Sequence, residues 1–167
     1  MPFEVRVAEV EELSEGPPYE VAAENAYRKA SAIAGREAAA GELVLGVDTI
    51  VALGGQIYGK PADDAAARET LRALSGHRHA VLSGLCLIEG GRVRTAVSTT
   101  LVDIRALDDA LLEWYLATGE WSGRAGGYAI QGRGAALVRS IEGDYLNVVG
   151  LPLATLLELA PEVLGVP

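Results

Sequence analysis

The sequence contains one cysteine, two histidines and no long apolar run. A single cysteine excludes a disulfide within the chain and is typical of proteins in the reducing cytosol. His77 and His79 have no cysteine or glutamate at zinc-ligand spacing around them, which argues against a zinc site. No apolar stretch approaches the roughly 20 residues of a membrane span, and the N-terminus has no hydrophobic signal region. We therefore predict a cytoplasmic protein without a membrane segment.

Basic residues are also few, since 14 lysines and arginines stand against 23 acidic residues and give a formal net charge of −9. A protein that binds long nucleic acid needs a basic face to neutralise phosphates, so a nucleic acid polymer is not an expected partner. A small anionic ligand, held by a few local cations and a metal ion, remains compatible with this charge. With 50% hydrophobic residues, the 167-residue chain is predicted to be one globular domain over residues 1–167.

The pattern of apolar runs, caps and glycine turns predicts an α/β domain with a long twisted mixed sheet flanked by helices. Alternation over Phe3–Val10 predicts a half-buried strand, and the alanine-rich stretch Tyr19–Ala40 predicts a helix. The other predicted elements are a buried strand in the run Leu43–Leu53 with Asp48 at its end, a hairpin through Gly54-Gly55-Gln56 to Ile57-Tyr58, a helix from Asp63 or Asp64 to Leu74, strands His79–Glu89 and Arg92–Arg105, a helix from Asp108 to Thr118, a strand over Ala135–Ile141 and a helix after Pro152.

The run Leu43–Leu53 is apolar and rich in β-branched residues, but Asp48-Thr49 interrupts it. A continuous apolar run predicts a strand buried on both faces, and ligands bind at the carboxyl ends of strands in open α/β sheets. A buried ionised aspartate is costly unless it is paired. We interpret Asp48 as part of a polar pocket at a strand end; a turn-forming aspartate bonded to a backbone amide is the alternative.

One motif suggests a phosphate-binding P-loop, because Gly54–Lys60 fits G-x-x-x-x-G-K. Pro61 follows where that motif needs a hydroxyl for magnesium, and a proline keeps the preceding lysine out of the helical conformation. The predicted context is a hairpin rather than strand, loop and helix. We therefore reject the P-loop interpretation.

Several polar residues are not explained by apolar packing. Carboxylates can hold a divalent ion and activate water, and lysines can neutralise phosphate oxygens, so together they indicate a metal-assisted reaction on a phosphate. Each also has an ordinary interpretation as a solvated surface or loop residue. The candidates are Glu11, Glu12, Lys29, Asp48, Thr49, Lys60 and Gln131.

Seven short motifs follow one another along the chain: Ala8-Glu9-Val10-Glu11-Glu12, Arg28-Lys29-Ala30, Gly46-Val47-Asp48-Thr49, Gly59-Lys60-Pro61, Leu74-Ser75-Gly76, Ala125-Gly126-Gly127-Tyr128-Ala129-Ile130-Gln131-Gly132 and Val149-Gly150-Leu151-Pro152. In this order they resemble the Maf family of nucleoside triphosphate pyrophosphatases, once described as septum-formation inhibitors. The resemblance covers about Phe3 to Pro152. It implies the fold of the inosine-triphosphatase-like pyrophosphatases, with a long twisted sheet and a cleft.

The resemblance implies hydrolysis of a nucleoside triphosphate to the monophosphate and pyrophosphate with a divalent cation, Mg or Mn, by a homodimer. Asp48 matches the proton acceptor that takes a proton from the water attacking the α-phosphorus. Glu12 matches the acid for metal binding, with Glu11 an alternative by one residue of register. Lys29 and Lys60 match the phosphate-binding lysines.

Two positions concern substrate choice. Thr49 and Gln131 resemble the branch that acts on dTTP and UTP, whereas the 7-methyl-GTP branch typically has Asp-Gln and Ser-Glu-Gly at these places. A glutamine amide offers both a donor and an acceptor, which suits the imide edge of thymine or uracil. We predict dTTP and UTP as preferred substrates, with 7-methyl-GTP as the lesser alternative.

The family pattern normally opens with a strand, a Ser-x-Ser-Pro-Arg-Arg loop and a helix, which precede the matched motifs and are absent from this sequence. A start codon assigned late is one explanation, and we favour it because every later motif is intact. A shortened paralogue is the other. In that case we would expect a non-catalytic nucleotide-binding or septum-formation regulatory protein. Smaller departures are Arg124, Ser83 and Ala129, where lysine, threonine and glycine are usual.

Overall fold

The computed structural model describes residues 3–36 and 41–164, which form an α/β fold around one five-stranded sheet. The predicted fold class is confirmed. The strand order is β2-β1-β3-β4-β5. The strands are β1 (Val44–Leu53), β2 (Gln56–Tyr58), β3 (Arg78–Glu89), β4 (Arg92–Ile104) and β5 (Val138–Glu142).

All strand pairs in the described part of the chain are antiparallel, so the predicted mixed sheet is wrong. β1 and β2 form one hairpin and β3 and β4 form another, and a hairpin connection always produces antiparallel neighbours. The chain also returns through a helix between β2 and β3 and places β3 antiparallel to β1. The sequence indicated the hairpin of β1 and β2 and the strands β3 and β4, but it did not determine the direction of β3 relative to β1 or of β5 relative to β4.

Helices cover the two faces of the sheet unequally. The helix α1 (Pro18–Arg36) packs on β1 and β3 on one face. The shorter helices contact the opposite face, where Val51 and Val81 contribute to the main core and Leu85 and Leu87 form a second cluster. These helices are α2 (Asp64–Leu74), α3 (Asp109–Leu116), α4 (Tyr145–Val149) and α5 (Leu153–Leu159), and short 3₁₀ helices lie at Ala125–Gly127, Arg133–Ala136 and Pro161–Leu164.

Small residues let α1 lie directly on the sheet. Ala22, Ala26 and Ala30 are fully buried on the inner side of the helix. A Cβ atom at Gly46 would overlap the backbone of α1 near Ala26, and one at Gly84 would overlap the Ala22 carbonyl. Because helix and sheet approach this closely, side chains of α1 reach the polar residue in the middle of β1.

Two predicted strands differ from the structure, and one predicted helix is described only in part. Residues 3–10 form no strand, and Phe3, Val5 and Val7 are at least 80% exposed, because alternation alone supplies no partner strand. The predicted strand over residues 135–141 begins only at Val138, after a 3₁₀ helix. The predicted helix over residues 19–40 is present as α1 to Arg36, and residues 37–40 lie outside the described residues.

Two further observations concern the single cysteine and the absence of a membrane-spanning helix among the described residues. Cys86 is buried against α1, and burial raises the pKa of its thiol to about 11, so it packs as a small apolar side chain rather than serving as a nucleophile. Within residues 3–36 and 41–164, no helix combines the length and the apolar character that crossing a bilayer requires.

Candidate active site

A cavity of about 260 Å³ lies along β1 at Asp48. Its walls come from α1, β1, the segment after β2, the glycine-rich segment before Gly134, and the end of α4. Apolar side chains of β1 and β3 form part of the lining, and the charged or hydrogen-bonding side chains in it are Lys29, Asp48, Thr49, Lys60, Arg124, Tyr128 and Gln131.

The cavity contacts both faces of β1 at the edge of the sheet. β2 pairs with β1 only through Val51–Leu53, so among the described residues no strand covers the outer edge at Asp48 and Thr49. Successive side chains of a strand point to opposite faces. Asp48 therefore faces α1, and Thr49 faces α4. The prediction that Asp48 stands at a strand end is wrong, because it lies in the middle of β1 opposite Gly84 of β3.

The Asp48 carboxylate is 5% exposed and has a partner for each oxygen. Lys29 Nζ donates to Oδ1 at 2.6 Å, and Asn25 Nδ2 donates to Oδ2 at 3.0 Å. The same Lys29 ammonium lies 2.8 Å from Glu12 Oε1. One positive charge thus bridges two carboxylates and supplies the pairing that a buried aspartate requires.

Asn25 is a site residue that the sequence did not identify. It is 1% exposed, its Oδ1 accepts from the Leu13 N–H at 2.7 Å, and its Nδ2 also donates to the Leu13 carbonyl at 3.0 Å. These bonds fix the segment before α1 and place Glu12 beside Lys29. The available signal was helical spacing, because Asn25 lies one turn before Lys29 on a helix whose other fully buried residues are Val21 and alanines.

The charge states follow from these contacts. Burial acts to lower the pKa of Lys29, but its hydrogen bonds to Asp48 and Glu12 outweigh burial, and that pKa lies above its ordinary value. Burial acts to raise the pKa of Glu12, but the hydrogen bond and charge of Lys29, with the charge of Lys60, bring it below the ordinary value. At neutral pH Lys29 is therefore a fixed positive charge and cannot act as the base.

Positive charge is concentrated in the cavity although the chain carries a net charge of −9. Lys29, Lys60 and Arg124 all line it, so three cations surround the space next to Asp48. Such a cluster suits the oxygens of a phosphate chain, which lysine meets as a point charge and arginine with two parallel hydrogen bonds. Arg124, which replaces the lysine usual in the family, also lines this cavity.

A neutral hydrogen-bond network lies on the other face of β1. Thr49 Oγ1 and Ser83 Oγ are 2.8 Å apart, and Ser83 Oγ donates to the Asn147 carbonyl at 3.3 Å. Asn147 Nδ2 donates to the Val81 carbonyl and to Thr100 Oγ1, each at 3.0 Å. Ser83, Thr100 and Asn147 have no exposed surface. The network holds the start of α4 against the sheet and supports the wall that Gly150 completes.

Two tyrosines anchor the glycine-rich segment that carries Gln131. The Tyr115 hydroxyl accepts from the Ala129 N–H at 3.1 Å, and the Tyr128 hydroxyl lies 2.8 Å from His79 Nε2. Burial lowers the pKa of His79 to about 4 and raises the pKa of Tyr128. Both side chains are therefore neutral at pH 7, and the segment is held without charge.

A divalent cation fits this donor set only with help from a ligand. In the ranges that the structure describes, no group of three or more histidine, cysteine, aspartate or glutamate side chains could hold a metal ion. Magnesium is commonly held by one or two carboxylates, with phosphate oxygens and water completing its shell. Glu12 and Asp48 match that pattern, since both already share one cation, the Lys29 ammonium.

The sequence-predicted residues converge on one place. Asp48, Lys29, Thr49, Lys60 and Gln131 all line the cavity, and Glu12 joins them through Lys29.

Of the two candidate acids in the N-terminal segment, the structure places Glu12 beside Lys29. The side chain of Glu11 is exposed, and its backbone carbonyl accepts from Arg28 Nη1 at 3.1 Å.

Known proteins resemble this chain over most of its length. The family model described as "Maf-like protein" matches residues 1–163. A dTTP/UTP pyrophosphatase of Pyrococcus furiosus is 49% identical over 118 residues, which are 71% of this chain and 62% of that protein. A dTTP/UTP pyrophosphatase of Symbiobacterium thermophilum is 46% identical over 155 residues, or 92% of this chain and 79% of that protein, and one of Deinococcus radiodurans is 43% identical over 160 residues, or 95% and 81%. The chain therefore belongs to the Maf family.

Proposed function

We propose that this chain hydrolyses dTTP and UTP to the nucleoside monophosphate and pyrophosphate. Relatives that cover most of the chain are named dTTP/UTP pyrophosphatases. The observation that carries the proposal is a buried carboxylate, Asp48, next to three cations in one cavity of an acidic protein. That combination suits an anionic substrate and a reaction that needs a base.

In this proposal Asp48 is the general base. Lys29 and Asn25 hold its two oxygens in fixed positions, and the carboxylate lines the cavity. A positioned carboxylate can take a proton from water in the transition state. The proton would pass from the water that attacks the α-phosphorus to an Asp48 oxygen, and pyrophosphate would leave with the electron pair of the broken P–O bond.

The three cations make this attack feasible. A triphosphate repels an incoming water or hydroxide unless its charge is masked. Lys29, Lys60 and Arg124 would contact the phosphate oxygens and stabilise the charge that develops on the pyrophosphate as it leaves. These residues are already in place around the cavity, so little reorganisation is needed during the reaction.

We also propose that a divalent cation, Mg or Mn, takes part. Glu12 would hold it together with the phosphate oxygens of the substrate, and a bound divalent ion polarises phosphoryl oxygens. Lys29 contacts both Glu12 and Asp48, and its positive charge offsets the repulsion between the two carboxylates before the substrate binds.

The neutral part of the cavity would bind the base. Thr49 and Gln131 are uncharged hydrogen-bonding side chains in the lining, and Val47, Val51 and Ile130 supply apolar surface. A pyrimidine ring needs such an environment, whereas the phosphates need the cations.

We propose further that the protein acts in the cytoplasm as a homodimer. Its single cysteine is free and buried, which suits a reducing compartment. The dimer rests on the family resemblance, and sedimentation of the purified chain tests it: a single species at twice the chain mass is expected, and a monomer at micromolar concentration would contradict it.

The decisive test of the function is pyrophosphate release by the purified chain from dTTP, UTP and 7-methyl-GTP in the presence of Mg²⁺ or Mn²⁺. We expect turnover of dTTP and UTP that exceeds turnover of 7-methyl-GTP. Preference for 7-methyl-GTP would contradict the substrate assignment. Calorimetric binding of dTTP without release of pyrophosphate would instead support a non-catalytic nucleotide-binding protein.

A further inference from the structure

The hydroxyl of Thr49 is part of a short chain of hydrogen bonds that ends inside the protein. Thr49 Oγ1 contacts Ser83 Oγ at 2.8 Å, and Ser83 Oγ contacts the Asn147 carbonyl oxygen at 3.3 Å. Ser83 is fully buried, whereas Thr49 is half-buried and lines the cavity. These hydrogen bonds thus connect the buried Asn147 carbonyl to Thr49, a residue that lines the cavity.

The direction of these bonds is fixed by their inner end. A carbonyl oxygen can only accept, and the Asn147 carbonyl, which also accepts from the Gly150 N–H at 3.1 Å, can take a second donor. Each hydroxyl has one hydrogen. Both contacts are hydrogen bonds only if Ser83 donates to Asn147 and Thr49 donates to Ser83.

Because its hydrogen is used by Ser83, the Thr49 hydroxyl can offer a ligand in the cavity only an acceptor. A ligand atom facing it must therefore be a donor. We propose that Ser83 determines base selectivity by holding the Thr49 hydroxyl as an acceptor, so that the site favours a pyrimidine with an N–H at ring position 3, uracil or thymine, over cytosine. This inference rests on the proposed function, since it concerns the base-binding part of the same cavity.

Gln131 cannot supply this discrimination alone. It is exposed, and its side chain makes no hydrogen bond to the rest of the described chain, so its amide is free to turn. An amide that turns offers either its oxygen or its NH₂ group to the base. Uracil and cytosine differ by exchanging donor and acceptor at adjacent positions, and a group that can exchange its own donor and acceptor accepts both. A hydroxyl of fixed direction does not.

The test compares UTP with CTP as substrates of Ser83→Ala, Ser83→Thr and the wild type. In Ser83→Ala the Thr49 hydroxyl turns freely and can donate to N3 of cytosine. We expect the ratio of kcat/KM for UTP to that for CTP to fall about tenfold, mainly because CTP improves, since redirecting one hydrogen bond is worth roughly that factor. Ser83→Thr keeps the hydroxyl and should restore the wild-type ratio.

Ser98→Ala is the matched control. Ser98 pairs with Ser83 across β4 and points to the same face, but its side chain makes no hydrogen bond within residues 3–36 and 41–164. The Ser98→Ala protein should have the same ratio of kcat/KM for UTP to kcat/KM for CTP as the wild type. A Ser83→Ala protein that is active and keeps the wild-type ratio overturns the inference, as does a Ser98→Ala protein with the same shift.

A binding measurement separates this inference from the proposed function. Calorimetry with UMP and CMP needs no turnover, and the wild type should bind UMP more tightly. Thr49→Val, which removes the hydroxyl and retains the shape, should reduce that preference even if Ser83→Ala does not fold. If the chain releases no pyrophosphate from UTP but prefers UMP, the proposed function fails and the inference stands. Equal preference in the wild type and Thr49→Val overturns the inference.

Discussion

Asp48 and Thr49 are neighbours in sequence, but they belong to two chemically different surfaces. On the α1 face of β1, Asp48, Lys29 and Glu12 form a charged group in which the side chain of Glu12 is 41% exposed. On the opposite face, Thr49 joins a neutral network whose inner members, Ser83 and Asn147, have no exposed surface. The first surface can exchange partners with a ligand, and the second is fixed.

This difference follows from the alternation of a strand at an uncovered edge. A strand sends consecutive side chains to opposite faces, and the cavity contacts both of them where β2 ends. The charged face has the groups for phosphate chemistry. The neutral face has groups of fixed hydrogen-bond direction, which suit recognition. We therefore expect substitutions on the two faces to change catalysis and base selectivity separately.

The largest effect is expected on removing the charge from the charged face. Lys29→Met retains the side-chain length but leaves Asp48 and Glu12 without their shared cation. We expect kcat/KM for dTTP to fall about 1000-fold, and the free energy of unfolding to fall by about 3 kcal/mol, because a buried charge loses its partner. Enzyme kinetics and urea unfolding measure the two effects. Arg72→Met removes an exposed cation paired with Asp109 and should change neither by much.

Protonation of His79, which would place a positive charge on the neutral face, should lower the free energy of unfolding. The pKa of His79 is about 4 in the folded protein, whereas its ordinary value is 6.5. Between pH 6.5 and pH 4 the unfolded chain therefore binds a proton at His79 more readily than the folded protein does. The contribution of neutral His79 to the free energy of unfolding is fully present above pH 6.5, and it decreases by about 3 kcal/mol in total as the pH falls towards 4. Urea unfolding of the wild type and His79→Gln between pH 7.5 and pH 4 should show a smaller pH dependence in the variant. An unchanged pH dependence of stability in His79→Gln would contradict this explanation. An equal reduction of the pH dependence in His77→Gln, at an exposed histidine, would also contradict it.

The close contact between α1 and the sheet can be tested with a single methyl group. Gly84→Ala places a Cβ against the Ala22 carbonyl and must displace α1. We expect a loss of roughly 2 kcal/mol in stability and reduced activity, because Lys29 moves relative to Asp48. Gly35→Ala is the matched control on α1, where a Cβ meets open space, and it should be neutral or slightly stabilising. Equal stability of the two variants would argue against close packing as the device that positions Lys29.

The smallest effect concerns the metal ion. With no cluster of three ligands in the described residues, the free protein should bind Mn²⁺ weakly, and a non-hydrolysable dTTP analogue should raise that affinity at least about tenfold. Electron paramagnetic resonance of free Mn²⁺ measures this. Glu12→Gln should reduce the affinity and Glu11→Gln should not, because only Glu12 contacts Lys29. Tight Mn²⁺ binding without nucleotide would contradict the donor set described above.

Much of the fold was predictable because its signals are local. The hairpin between β1 and β2 follows from Gly54 and Gly55, both of which adopt positive φ, and α2 begins after the predicted cap Asp63. The position of Asp48 within β1 was not predictable. A carboxylate inside a strand is tolerated here only because Lys29 and Asn25 reach it from α1, and that depends on Gly46 and Gly84 admitting the helix.

The residues that line the candidate site were predictable where a motif contains them and not where only tertiary packing brings them together. Lys29, Lys60 and Gln131 belong to motifs of the family, and all three line the cavity. Asn25 belongs to none of the quoted motifs, and Ser83 stood out only as a departure from the family pattern. Asn25 contacts Asp48 from α1 and Ser83 contacts Thr49 from β3, and such contacts between elements cannot be read from local sequence. The N-terminal strand was predicted wrongly for the same reason, since a strand needs a partner that alternation does not supply.

The most direct test of the central claim compares Asp48→Asn with Thr49→Val on dTTP. We predict that Asp48→Asn lowers kcat at least about 100-fold, because the proposed general base is lost, and that Thr49→Val retains kcat within severalfold but loses selectivity for the nucleobase. Asp109→Asn, an exposed acid far along the chain, should behave as the wild type. Unchanged kcat in Asp48→Asn, or equal loss of kcat in both variants, would contradict the division of the site between the two faces of β1.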